Sequence, residues 1–140
     1  MEITRYILPV VSGAMIGILV IVLGENIVHS IYPYPPGTDL SNPESIRLAI
    51  KLMPAKLLIM VLVNFAIASF IAGFVASIAS KRITAMPALV VGLVLTLSGM
   101  YNALFLPHPL WFTLANLVVY LPFSYLAYLL IRKKDLTPVS

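Results

Sequence analysis

Four long stretches of this chain are almost free of charge, and everything else must fit into the short segments between them. A helix needs about 20 apolar residues to cross the hydrocarbon core of a bilayer. Runs of that length fall at about 6–32, 55–79, 86–106 and 110–131. Only 10% of the residues are charged, against about 25% in a soluble domain, so a water-facing surface cannot be built. This excludes a two-domain soluble enzyme. The net charge of +4 is not an extended surface for nucleic acid, so no nucleic-acid partner is expected. The absence of cysteine rules out disulfides, thiolate metal sites and thiol redox chemistry, and with them the quinone-linked disulfide oxidoreductases of similar helix count. The predicted fold class is an all-α membrane protein. It is one domain, 1–140, of four transmembrane helices in an up-down bundle, with a short interfacial amphipathic helix in the first outer loop, 33–54.

The first span is interrupted only by Pro9 and by small residues such as Ser12, Gly13 and Gly17. A cleaved signal peptide is the competing reading, but the apolar run exceeds the usual signal core and no A-x-A-like site follows it. Pro33-Tyr34-Pro35-Pro36-Gly37-Thr38-Asp39 is incompatible with helix, because the prolines lock φ and remove amide donors. A helix restarts at Ser41-Asn42-Pro43-Glu44, capped by Asn42 with Pro43 in the first turn, or by a Ser41–Glu44 capping box. Ile46, Ala49, Ile50 and Met53 then share a face, with Arg47 and Lys51 opposite. Such a helix lies on the membrane with its cations toward the headgroups, or docks a partner.

Orientation follows from the cations near helix ends. Arg5, Lys81, Arg82, Arg132, Lys133 and Lys134 fall on one side, and Arg47, Lys51 and Lys56 on the other. The first side is expected to be cytoplasmic, placing both termini inside a bacterial inner (cytoplasmic) membrane. A cysteine at Thr38 would then be labelled from outside, and one at Thr84 or Thr137 would not.

Close helix packing in membranes needs small residues. Gly13, Gly17 and Gly24 form one seam, Ser69, Gly73 and Ser77 a second, and Gly92, Thr96, Gly99 and Ala103 a third. They serve packing within the chain or, alternatively, a homo-oligomer. Gly17 and Gly24 are spaced like Gly92 and Gly99, the mark of two hairpins forming a parallel repeat. Pro122 should kink the last helix by freeing the Val118 carbonyl.

Polar residues inside the membrane point to function. Glu25, Asn26 and His29 end the first helix, Asn102 ends the third and Asn116 begins the fourth. These fall in the outer third of the bilayer. Glu25 and His29 are four apart, on one face. Asn64 lies deeper, His108 is in the second outer turn, and Tyr120 is deep enough to need a hydrogen-bond partner. Three readings compete: caps and tethers at the interface, a polar outward-facing pocket, or a metal site of Glu25, His29 and His108. The candidate pocket is Glu25, His29, Asn102 and Asn116, with Asn26, Asn64, His108 and Tyr120 as additions, and Glu25 is expected to share a hydrogen-bonded cluster with at least one of His29, Asn102 and Asn116. No HExxH, GxSxG or phosphate-cradling loop is present, so neither catalysis nor a cofactor is expected.

The stretches Gly24-Glu25-Asn26-Ile27-Val28-His29, Tyr34-Pro35-Pro36-Gly37-Thr38-Asp39, Pro107-His108-Pro109-Leu110-Trp111 and Tyr120-Leu121-Pro122-Phe123 resemble small four-helix integral membrane proteins of bacteria. That resemblance spans most of the chain and implies the layout above, with no activity attached. Small multidrug transporters also carry a Glu in the first helix, but theirs sits near mid-membrane. The function expected is a non-enzymatic accessory subunit or scaffold in the lipid bilayer. The alternative is an oligomeric transporter or carrier of a small molecule, lipid or ion, working as a homo-oligomer or in a larger membrane complex.

Overall fold

A computed structural model of the chain describes residues 3–81 and 84–135. Arg82, counted above among the inner cations, lies outside them. The described elements are helices: α1 (Thr4–Ile31), α2 (Pro43–Lys51), α3 (Ala55–Ala79), α4 (Met86–Phe105) and α5 (Leu110–Asp135). Four of them, all but α2, are long and apolar enough to cross a membrane. α5 runs past Ile131 through Arg132, Lys133 and Lys134, cations that suit the negative end of a helix dipole. Pro122 lies within this helix, which continues on both sides of it.

The outer loop is built by local chemistry. Gly37 has φ 85°, a conformation that only glycine adopts without strain, and Thr38 closes the turn by donating its amide and hydroxyl to the Pro35 carbonyl at 3.2 and 2.7 Å. Of the two caps open from sequence, Asn42 is the one used: its side-chain oxygen accepts from the Glu44 amide at 3.0 Å. Ser41 is engaged with Asp39 instead, donating from its amide and its hydroxyl. Those two bonds hold the exposed Asp39 carboxyl below the usual carboxylate range.

Between the long helices the packing is made by small residues. Ala68, Ala72, Ala76, Ala88 and Ala127 are fully buried, while Leu8, Met15, Leu19, Leu23, Leu97 and Leu114 are exposed. A monomer in water does not present so continuous an apolar surface, whereas lipid tails accept it. The interior is where backbones approach closely. A Cβ on Gly13 would lie 2.6 Å from the Ala72 carbonyl oxygen, and one on Gly17 2.8 Å from the Ala72 Cβ. A Cβ on Gly24 would overlap the Asn64 carboxamide. Gly73 faces the Ser124 backbone, Gly92 meets Ser124 and Leu121, and Gly99 meets Tyr120 and Asn116. The glycine seams are therefore filled from within the chain.

These contacts also give the neighbours. α3 touches α1, α4 and α5; α4 also touches α1 and α5; α1 and α5 do not meet. Rising residue numbers in α1 pair with falling numbers in α3, and α4 pairs with α5 in the same manner. The pairs Ser69–Tyr120 and Gly73–Ser124 rise together, as do Gly13–Val91 and Gly17–Leu95. Two antiparallel hairpins thus lie side by side, like helix beside like. They share one device. Asn64 donates to the Ile21 carbonyl at 3.0 Å, and Asn116 donates to the Gly99 carbonyl at 3.3 Å, beside Gly24 and at Gly99 respectively.

Candidate functional site

The ends of α1, α4 and α5 nearest the Pro-rich loop surround a cavity of about 250 Å³. α1 contributes Glu25 and His29, brought to one face by their four-residue spacing. α4 contributes Asn102, the following turn His108, and α5 Asn116. The floor is apolar and comes mainly from α3 through Leu57, Leu58, Val61 and Phe65. The roof is Tyr34 of the loop with Ile46, Ile50 and Met53. Ala49 and Ile50 are buried, whereas Arg47 and Lys51 on the opposite face are exposed. The apolar face of α2 is thus turned onto the chain's own cavity, which occupies the face that the sequence reading offered to lipid or to a partner.

Glu25, His29, Asn102, Asn116 and His108 line this one space. Tyr120 lines an adjoining cavity of about 290 Å³ that also includes Glu25, Asn102 and Phe65. Asn64 lines neither, being used up between α1 and α3. Asn26 points away, its amide donating to the Val22 carbonyl at 2.8 Å on the exposed side of α1.

The hydrogen bonding differs from the single cluster expected. The His29 ring stacks on Tyr34 with centroids 4.4 Å apart, and its Nε2 lies 3.2 Å from the Tyr34 hydroxyl. Asn116 turns toward α4 and Tyr120, whose hydroxyl donates to its side-chain oxygen at 2.9 Å; this supplies the partner a buried tyrosine needs. His108 stacks on Phe112 and its Nδ1 lies 2.9 Å from the Leu106 carbonyl. Glu25 makes no hydrogen bond or ion pair among the described residues. The expected Glu25-centred cluster is therefore not formed among the described residues; His29 and Asn116 direct polar atoms to Tyr34, Gly99 and Tyr120 instead. His29 Nδ1 is likewise buried with no hydrogen-bond partner among the described residues. The three-ligand metal reading fails as well: among the described residues no group of three His, Cys, Asp or Glu is placed to hold a metal ion.

Electrostatics outside the spans follow from burial. The Tyr34 hydroxyl is pushed up by desolvation and then by the negative charge of Glu25. Burial holds the His108 imidazole below its ordinary value, partly opposed by its bond to the Leu106 carbonyl. Facing a carbonyl oxygen, Nδ1 is the ring nitrogen that donates.

Sequence reasoning missed Tyr34 and the α2 roof as parts of the site. The apolar period of Ile46, Ala49, Ile50 and Met53 was visible, but the same period serves a helix on lipid or on protein. No family model, curated protein or solved structure matches the chain.

Proposed function

We propose that this protein is a non-catalytic carrier-type membrane protein that holds a small molecule in the outer cavity. The observation that carries this reading is the cavity itself, where separate segments bring polar side chains beside apolar walls and a short helix lines one side. A bundle serving only as a scaffold has no need of such a space. Ligand sites generally combine apolar walls with a few convergent polar groups. The polar groups present are one carboxylate, two imidazoles held by aromatic stacking, two carboxamides and the Tyr34 phenol, a set suited to recognition rather than to activating a nucleophile. Four helices seldom enclose a path of their own, so transport by this chain requires at least two copies.

In this reading the bundle crosses a bacterial inner membrane up and down, with both termini cytoplasmic. α2 lies at the outer interface, with Arg47 and Lys51 toward the headgroups. The excess of Arg5, Lys81, Arg132, Lys133 and Lys134 at one end supports that orientation.

Native mass spectrometry on protein released from membranes tests the function. The chain should carry a small-molecule mass surplus, and Ala103→Phe, which fills the cavity, should lose it. Recovery of a second protein species with no such surplus in either form would instead mark an accessory subunit.

Orientation is checked by single-cysteine labelling of intact cells. The buried Thr84 hydroxyl makes that position a poor reporter, and Thr137 lies outside the described residues. Leu40 and Lys81 are both exposed and replace them. Leu40→Cys should react with an impermeant maleimide and Lys81→Cys only after lysis. The opposite pattern would invert the topology.

A further inference from the structure

We propose that the ligand of the outer cavity is a single-chain cationic amphiphile, an alkylamine in chemical class, whose charged head pairs with Glu25 and whose tail lies in a crevice between α1 and α4 open to the bilayer. This rests on the cavity being a ligand site and adds the ligand's class and its route.

The adjoining cavity is the starting point. It is walled by Ile18 and Ile21 of α1, Leu95, Ser98 and Gly99 of α4, and Tyr120 of α5, and it shares Glu25, Phe65 and Asn102 with the outer cavity. The two spaces are thus neighbours that share Glu25 as a lining residue. α1 and α4 meet through Gly13–Val91 and Gly17–Leu95, and the second space begins at that level, with Leu95 as its base. Ile18 is 48% exposed and Ser98 is also exposed, so this space reaches the lipid-facing side of the bundle. A molecule arriving within the membrane enters there without crossing the α2 roof.

The shape calls for two kinds of chemistry in one molecule. The crevice walls are largely apolar, whereas the junction is acidic. Among the described residues, Glu25 is the one acidic side chain lining either space, no Lys or Arg lines them, and the other titratable groups are His29, Tyr34, His108 and Tyr120. A carboxylate removed from water needs a counter-charge or hydrogen bonds, and Glu25 has neither among the described residues. An alkylammonium supplies both, with up to three donors for Glu25 and the carboxamide oxygens nearby. Phe65, which faces both spaces, offers an aromatic surface of the kind that attracts cations. An anionic amphiphile would meet Glu25 with like charge.

The test uses protein in phosphatidylcholine nanodiscs at neutral pH, with thermal stabilisation titrated against dodecylamine, dodecanoate and butylamine. Dodecylamine should bind about tenfold or more tightly than dodecanoate, the scale of one charge-assisted hydrogen bond or more, and also more tightly than butylamine, which lacks the tail. Glu25→Gln should remove the preference over dodecanoate. Ser98→Trp, at the crevice mouth, should weaken dodecylamine toward butylamine while leaving butylamine unchanged. If Glu25→Gln does not fold, the Ser98→Trp arm decides. Equal or tighter binding of dodecanoate, or full dodecylamine binding by Glu25→Gln, overturns the proposal. Equal binding of butylamine and dodecylamine refutes the crevice but leaves the outer cavity as a ligand site. A native mass surplus with no response to either amine refutes the ligand class alone, and absence of any surplus refutes the underlying reading.

Discussion

Gly73→Leu should lower the stability of the protein in detergent by about 1–3 kcal/mol, the usual range for overpacking a tight interface, and the loss should lie at its upper end. A Cβ at Gly73 would sit 2.5 Å from the Ser124 carbonyl oxygen and 2.6 Å from the Ser124 Cα. Backbone cannot rotate away as a side-chain tip can, so α3 and α5 must separate. The same separation would stretch the bond that Ser69 donates to the Tyr120 carbonyl one turn away. Gly73→Ala should therefore also destabilise, by less. Thermal unfolding followed by circular dichroism measures both, and an unchanged midpoint for Gly73→Leu would mean that α3 and α5 do not pack at this level.

Asn116→Leu carries the second large effect. Asn116 is 4% exposed, bonded to the Gly99 carbonyl and accepting from the Tyr120 hydroxyl. Leucine leaves that hydroxyl buried and unpaired, at a cost of about 1–3 kcal/mol. In membrane proteins such bonds average nearer 0.6 kcal/mol with a maximum of about 1.7, so a loss of about 1–2 kcal/mol is expected. Tyr120→Phe should be milder, and the double variant should lose less than the sum of the two. Additivity in that cycle would show that the two side chains do not interact.

The long helices were legible because a bilayer sets a minimum apolar length, which residues 55–79 and 110–131 declare without reference to anything else. The start of α2 was equally plain, since a cap acts within one turn, although the choice between Asn42 and a Ser41–Glu44 box was left to the structure. Glu25 and His29 could be assigned to one face by counting. What could not be read was where their polar atoms point. His29 turns to Tyr34, a loop residue whose position depends on the whole path of the Pro-rich segment. Asn64 pairs with the backbone at Ile21, and nothing local to either residue announces the other. The α2 roof was hidden for a different reason: amphipathicity records that a face is buried, not what buries it.

The side-by-side placement of the two hairpins bears on how copies of this chain could assemble. Units related by a half-turn close on themselves, whereas units related by a shift leave both flanks free for another unit. Within the chain the step from the α1–α3 pair to the α4–α5 pair is a shift, with like helices in matching register. Repeating that step between molecules would produce an open row that grows without limit. A closed dimer must therefore be built on some other surface, in which each molecule offers the same patch to its twin.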